Sequence, residues 1–170
     1  PRTRWAKINI HVGATYGDKP MAIDNFCRNF ERLSDAVKSR LTVENDDRDS
    51  LYSTAELVEE IYSRIGTPIV HDIHHHLFTN RGMSQDEAMG LAASTWGDVT
   101  PVIHYSESRA KEHNDPKIRP QAHSDMIYDY INTYEHDVHI MIEAKHKELA
   151  LLHYRELYNK ENNSNLVVAA

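Results

Sequence analysis

Residues 68–76 read PIVHDIHHH. A short apolar run of strand character stops at Asp72, and three histidines follow immediately. The same figure recurs along the chain: KINIH stops at His11, LTVE at Glu44, PVIH at His104 and VHIMIE at Glu143. Between these runs lie helical periods of roughly ten to twenty residues, a rhythm that predicts parallel βαβ units with right-handed crossovers. In such folds the carboxyl ends of the strands open on a common crevice, so residues distant in sequence converge there. The expected class is α/β, with this chain holding the last five βα units of a (β/α)8 TIM barrel; an open doubly wound sheet is the alternative. The barrel reading requires absent N-terminal units, since a barrel lacking three of them exposes two sheet edges. Pro1 opens the chain without an initiator methionine and only a few residues before the first strand, which points to an N-terminal truncation. The expected organisation is a partial barrel domain over residues 1–160 and a C-terminal tail over 161–170, where ENNSNLVVAA has no clear period.

The helices have readable starts. Phe26, Phe30, Leu33 and Val37 repeat at helical spacing after Pro20, a residue suited to a first turn. Ser53 with Glu56, and Ser84 with Glu87, are capping-box pairs. Leu57, Ile61 and Ile65 mark the buried stripe of the second helix. After the polar segment SESRAKEHNDPKIRPQ, Ile127, Ile131 and Tyr134 suggest a fourth helix, and Leu149 and Leu152 a last one.

The 170 residues, 40% of them hydrophobic, suffice for one domain with a core. A net charge of -7 argues against a sequence-independent basic coat for nucleic acid. It does not exclude a DNA substrate, because divalent cations offset clustered carboxylates. The single cysteine, Cys27, cannot form an internal disulfide and reads as a small buried side chain in an intracellular, soluble protein, whether cytoplasm and nucleoid or nucleus and mitochondrion. No signal peptide or membrane span is apparent.

The strand ends carry the chemistry. His11 precedes a glycine-bearing turn. Glu44 ends its strand among Asn45, Asp46 and Asp47, where successive carboxylates repel unless cations are near. Asp72 and His75, three residues apart, can point at one mouth, with His71, His74 and His76 supporting them. His104 and Glu143 hold the same place in later units. His123, in QAHSD, is either a ligand or part of a helix cap. His113, His136, His139, His146 and His153 read as surface or packing residues. Oxygen and imidazole ligands without cysteine suit a catalytic site for manganese, zinc or iron more than a structural zinc. Such a cluster serves phosphoryl transfer, or equally a two-metal sugar isomerase or epimerase.

INIHVGATYGDK, LTVENDD, PIVHDIHHH, VIHYSES, AHSDMIYDY and IMIEAKHKELALL together resemble the C-terminal part of the UV damage endonuclease family, DNA-repair enzymes on a TIM barrel related in architecture to endonuclease IV and the xylose-isomerase-like barrels. The resemblance implies a manganese-type cluster of two or three ions, with zinc, cobalt or magnesium as substitutes. In it Glu44 bridges two ions, His11 completes one, and Asp72, His104 and Glu143 serve the next. His75 and His123 would hold a third. It also implies incision 5′ to UV photoproducts in double-stranded DNA, with Glu44 and His11 central to catalysis. No nucleotide cofactor or membrane is implied, and the full-length protein would be a monomer. The family's early units, with further histidine ligands and a glutamine–tyrosine pair that probes the lesion, are not among these residues, so an inactive fragment is a further alternative. A lysine found in some members two residues before the fourth-strand histidine is Val102 here. Arg109, Lys111, Lys117 and Arg119 are candidates for DNA phosphates, or a solvated loop. Tyr16 and Tyr105 are expected to pack.

Overall fold

Parallel strands covered on both faces are buried throughout, and LTVE and IVHD are buried at every position. In the computed structural model, which describes residues 6–158 and the backbone of 166–168, they are strands β2 (Leu41–Glu44) and β3 (Ile69–Asp72). With β1 (Ile8–Ile10), β4 (Val102–Tyr105) and β5 (His139–Ile142) they are the five strands expected. Leu166–Val168 adds a sixth, β6, inside the stretch read from sequence as an aperiodic tail. All neighbours are parallel, in the sequential order β1 to β6. The sheet curls and carries flanking helices, as part of a (β/α) barrel does.

Helix α1 (Lys19–Glu31) is capped by Asp18, whose carboxylate accepts the Met21 N–H at 2.9 Å. Its buried stripe is Ile23, Cys27 and Phe30, and it ends before Leu33, which is exposed; Val37 lies on the separate turn α2 (Asp35–Lys38). Cys27 is a buried free thiol, as its neighbours suggest. Both capping boxes form. Ser53 starts α3 (Thr54–Leu57), which continues through a π turn (Val58–Tyr62) into α4 (Ser63–Ile65). A short helix, α5 (Ile73–Thr79), leaves β3 directly and carries the histidine run, and Ser84 starts α6 (Gln85–Ala93). After β4 comes α7 (Arg109–Glu112), and α8 (Glu148–Tyr158) follows β5. On α8 the buried residues are Ala150, Leu151 and Tyr154, while Leu149 and Leu152 face solvent.

The fourth helix expected around Ile127, Ile131 and Tyr134 does not form. Ile127 and Ile131 are buried as expected, but the backbone there is bonded otherwise. The Glu107 carboxylate accepts the N–H groups of Tyr128 and Asp129, at 2.8 and 2.9 Å, and Glu112 accepts those of Asp125 and Met126. Donors claimed by side chains leave no i to i−4 ladder. His123 accordingly starts no helix; it forms an isolated antiparallel bridge with Ser108.

The core has two parts. One packs Ile23, Val43, Leu57, Ile61 and Ile69 between β2, β3 and the first helices. The other packs Ile103, Ile127, Ile140, Ile142 and Tyr154 around β4, β5 and α8. Both pack against the face of the sheet opposite Glu44, Asp72 and His104.

Candidate metal centre

Each candidate sits at or beside the carboxyl end of its strand: His11 one residue past β1, Glu44 and Asp72 at the last positions of β2 and β3, His104 near the end of β4, Glu143 one residue past β5. They converge on Glu44. Its Oε1 lies 3.1 Å from His75 Nδ1 and 3.9 Å from His11 Nε2, and its Oε2 lies 3.1 Å from His104 Nδ1. Glu143 Oε1 is 2.9 Å from the same His104 nitrogen, and Oε2 is 3.4 Å from His123 Nδ1. Asp72 Oδ2 is 3.9 Å from His75 Nδ1. The His123 ring stands 5.9 Å from that of His75 and 5.7 Å from that of His74. All seven expected ligands thus form one connected group. Two sets of ligand atoms close to within 4.8 Å, His11–Glu44–His75 and Glu44–His104–Glu143, and Glu44 belongs to both.

The electrostatics follow from packing acids and imidazoles out of water. Burial alone would raise the Glu44 carboxyl, but His104 and His75 hold it well below the usual carboxylate range. Burial would also lower both imidazoles, yet the facing carboxylates push His75 up to about 9 and His104 up to about 10. Asp72, wholly buried, is pushed up to about 6. His123 is lowered by burial.

The donor set fits divalent cations. Asp72 Oδ2 and His74 Nε2 are buried without a hydrogen-bond partner, a costly arrangement unless something else meets them. Carboxylate and imidazole donors together suit zinc, manganese or iron.

Some expected supports lie elsewhere. His71, one residue before Asp72, points to the opposite face of its strand, where it pairs with Thr54 Oγ1 and Gln85 Oε1, both at 2.9 Å. His76 Nε2 meets the Met83 carbonyl at 2.9 Å. Only His74 of the three borders the cluster. Sequence reasoning missed Asn9, whose amide donates to Glu44 Oε2 while its own oxygen accepts from Thr42 Oγ1 at 3.0 Å. It also missed the hold of Asp46 on His11, at 3.3 Å. An asparagine two residues before a strand-end histidine was the available signal for Asn9.

Of the basic candidates, Arg109 lies 3.3 Å from Asp125, whereas Lys111, Lys117 and Arg119 are exposed. Residues 109–122 form a closed excursion, pinched where Arg109 N–H donates to Ala122 O at 2.8 Å and Ser124 N–H to Glu107 O at 2.9 Å. Glu112, His113 and Asp125 also come together, but their oxygens are engaged by main-chain N–H groups, His113 and Arg109. Tyr105 packs as expected; Tyr16 is exposed instead. A cavity of about 530 Å³ adjoins the cluster between α5 and the segment after β4, with Ile73, His74, Phe78, Tyr105, Ser108 and Lys111 in its walls.

Comparison with known proteins adds relatives to this geometry. The profile of the UV-endonuclease UvdE family matches residues 1–169. UV DNA damage endonucleases of Bacillus mycoides (strain KBAB4) and Bacillus cereus (strain Q1) are 34% and 33% identical over 155 and 157 residues, which is 85% and 86% of this chain but 46% and 47% of those proteins. The crystal structure of SacUVDE superposes with a TM-score of 0.76 at 31% identity, covering 92% of this chain and 52% of that one. The chain spans about half the length of the relatives it matches.

Proposed function

The chain belongs to the UV-endonuclease UvdE family, and from that premise we propose that it carries metal-binding machinery of a DNA-repair endonuclease that cuts the phosphodiester backbone 5′ to UV photoproducts in duplex DNA. The observation that carries the reading is the double membership of Glu44, which lies between His11 and His75 on one side and His104 and Glu143 on the other. A carboxylate so placed suits two neighbouring cations, the arrangement that in-line phosphodiester displacement uses. We take the fold as part of an eight-unit barrel of the endonuclease IV type, and the working site as intracellular.

The residues divide the work. Glu44 brings negative charge between the two sets, because His75 and His104 hold its carboxyl below the usual carboxylate range. His11, steadied by Asp46, faces its outer side. His104 and Glu143 complete the second set with Glu44, Asp72 joins them from the end of β3, and His75 with His123 would hold a third cation. Divalent cations held there, manganese foremost with zinc, cobalt or magnesium as substitutes, would supply Lewis-acid polarisation of a phosphodiester and a hydroxide nucleophile at neutral pH. Lys111, Lys117 and Arg119 position DNA phosphates beside the cluster, and the cavity next to His74 gives the substrate an apolar wall. The sugar isomerase alternative gives way, because the family and the relatives matched are UV-damage endonucleases.

The test is a nicking assay on a UV-irradiated, end-labelled duplex with added manganese. Incision 5′ to photoproducts is expected. Glu44→Gln should lower it by about 100-fold or more while leaving DNA binding intact, since it removes the shared charge. Undiminished incision by that variant would overturn the assignment, and absence of incision by a form extended to the length of the relatives as well as by this chain would overturn the function.

A further inference from the structure

The ladder between β2 and β3 ends where Glu44 faces Val70. Beyond it a side chain takes over. Asn45, fully buried, donates from Nδ2 to the Asp72 carbonyl at 3.1 Å, and its Oδ1 accepts the Asp72 N–H at 2.7 Å. The two opposed bonds fix the amide, because a flip would set donor against donor and acceptor against acceptor. With its main chain so held, Asp72 uses Oδ1 to accept the His75 N–H at 2.7 Å, and Oδ2 is left buried without a hydrogen-bond partner. The main-chain carbonyl of Asn45 also faces His75 Nδ1, at 2.9 Å.

We infer that Asn45 is a positioning residue: its amide sets which oxygen of Asp72 is presented to a cation, without touching the cation itself. The inference rests on the metal-centre reading above. Removing the amide should release Asp72 while leaving every ligand in the chain.

Titration of the purified protein with Co²⁺, read by its d–d absorption, tests this. Asn45→Ala should weaken Co²⁺ binding by about 10- to 100-fold and alter the band shape. Thr95→Val is the control, since Thr95 Oγ1 accepts the Ile69 N–H at 2.9 Å and so anchors the opposite end of the same strand. It should leave affinity and spectrum unchanged at a temperature where both variants are folded. Should Asn45→Ala fail to fold, Asn45→Ser keeps an acceptor for the Asp72 N–H and should show an intermediate loss. Combined with Asp72→Ala, the Asn45 substitution should cost nothing further, because both act on one ligand. Parent-like Co²⁺ binding by the Asn45 variants, or an equal loss in Thr95→Val, overturns the positioning role alone. Failure of the parent protein to bind Co²⁺ removes the metal-centre reading and this inference with it.

Discussion

Glu44 sits where hydrogen bonds, ion pairs and the proposed ligation all meet, so its neighbours' protons have to be accounted for. Without a cation, His75 and His104, pushed up to about 9 and about 10, carry protons at pH 7 that a ligating imidazole must give up. Metal binding should therefore release about two protons per molecule near neutral pH. Affinity should climb with pH until those rings titrate, and fall more steeply below pH 6, where Asp72 also takes up a proton. Calorimetry in two buffers of different ionisation enthalpy reads the proton count, and equal apparent enthalpies in both would rule it out. At this scale the candidate ligands were legible because each terminates an apolar run. Asn9 and Asn45 were not: an amide beside a strand end resembles any turn residue until the neighbouring strand shows what it grips.

β3 and the helix that leaves it bear opposite loads on their two faces. Asp72 looks into the cluster, while His71 looks outward to Thr54 on α3 and Gln85 on α6. Burial lowers the His71 ring to about 4, against an ordinary value of 6.5. The unfolded chain thus takes up that proton first as pH falls, and stability present above about pH 6.5 is lost on the way to pH 4, by about 3 kcal/mol in all. Thermal melts between pH 7 and 4.5 should show this slope for the parent and a shallower one for His71→Gln. Parallel slopes would exclude the role. Strand periods and capping boxes could be read from the sequence because they are local. The segment around Ile127 and Ile131 could not, because the carboxylates of Glu107 and Glu112, more than ten residues upstream, claim its N–H groups.

Across the molecule, β1 pairs only with β2 among the described residues, and Ile8 and Ile10 on it are 36% and 37% exposed. A partly apolar strand edge is a template for another chain. This 19.6 kDa chain in isolation should elute in size-exclusion chromatography as a concentration-dependent oligomer, and Ile8→Lys with Ile10→Lys should return it to a monomer. A monomer at every concentration would show the edge to be protected. The sequential order of the strands gives each unit only its immediate neighbours to lean on, like a row of books that can slump from either end. The cluster draws on five of those units at once, so cations gripped by it would act as a bookend through the middle of the row. Chelation would then loosen the chain's two ends independently, and the price of losing metal would be a loss of all-or-none behaviour as well as of chemistry.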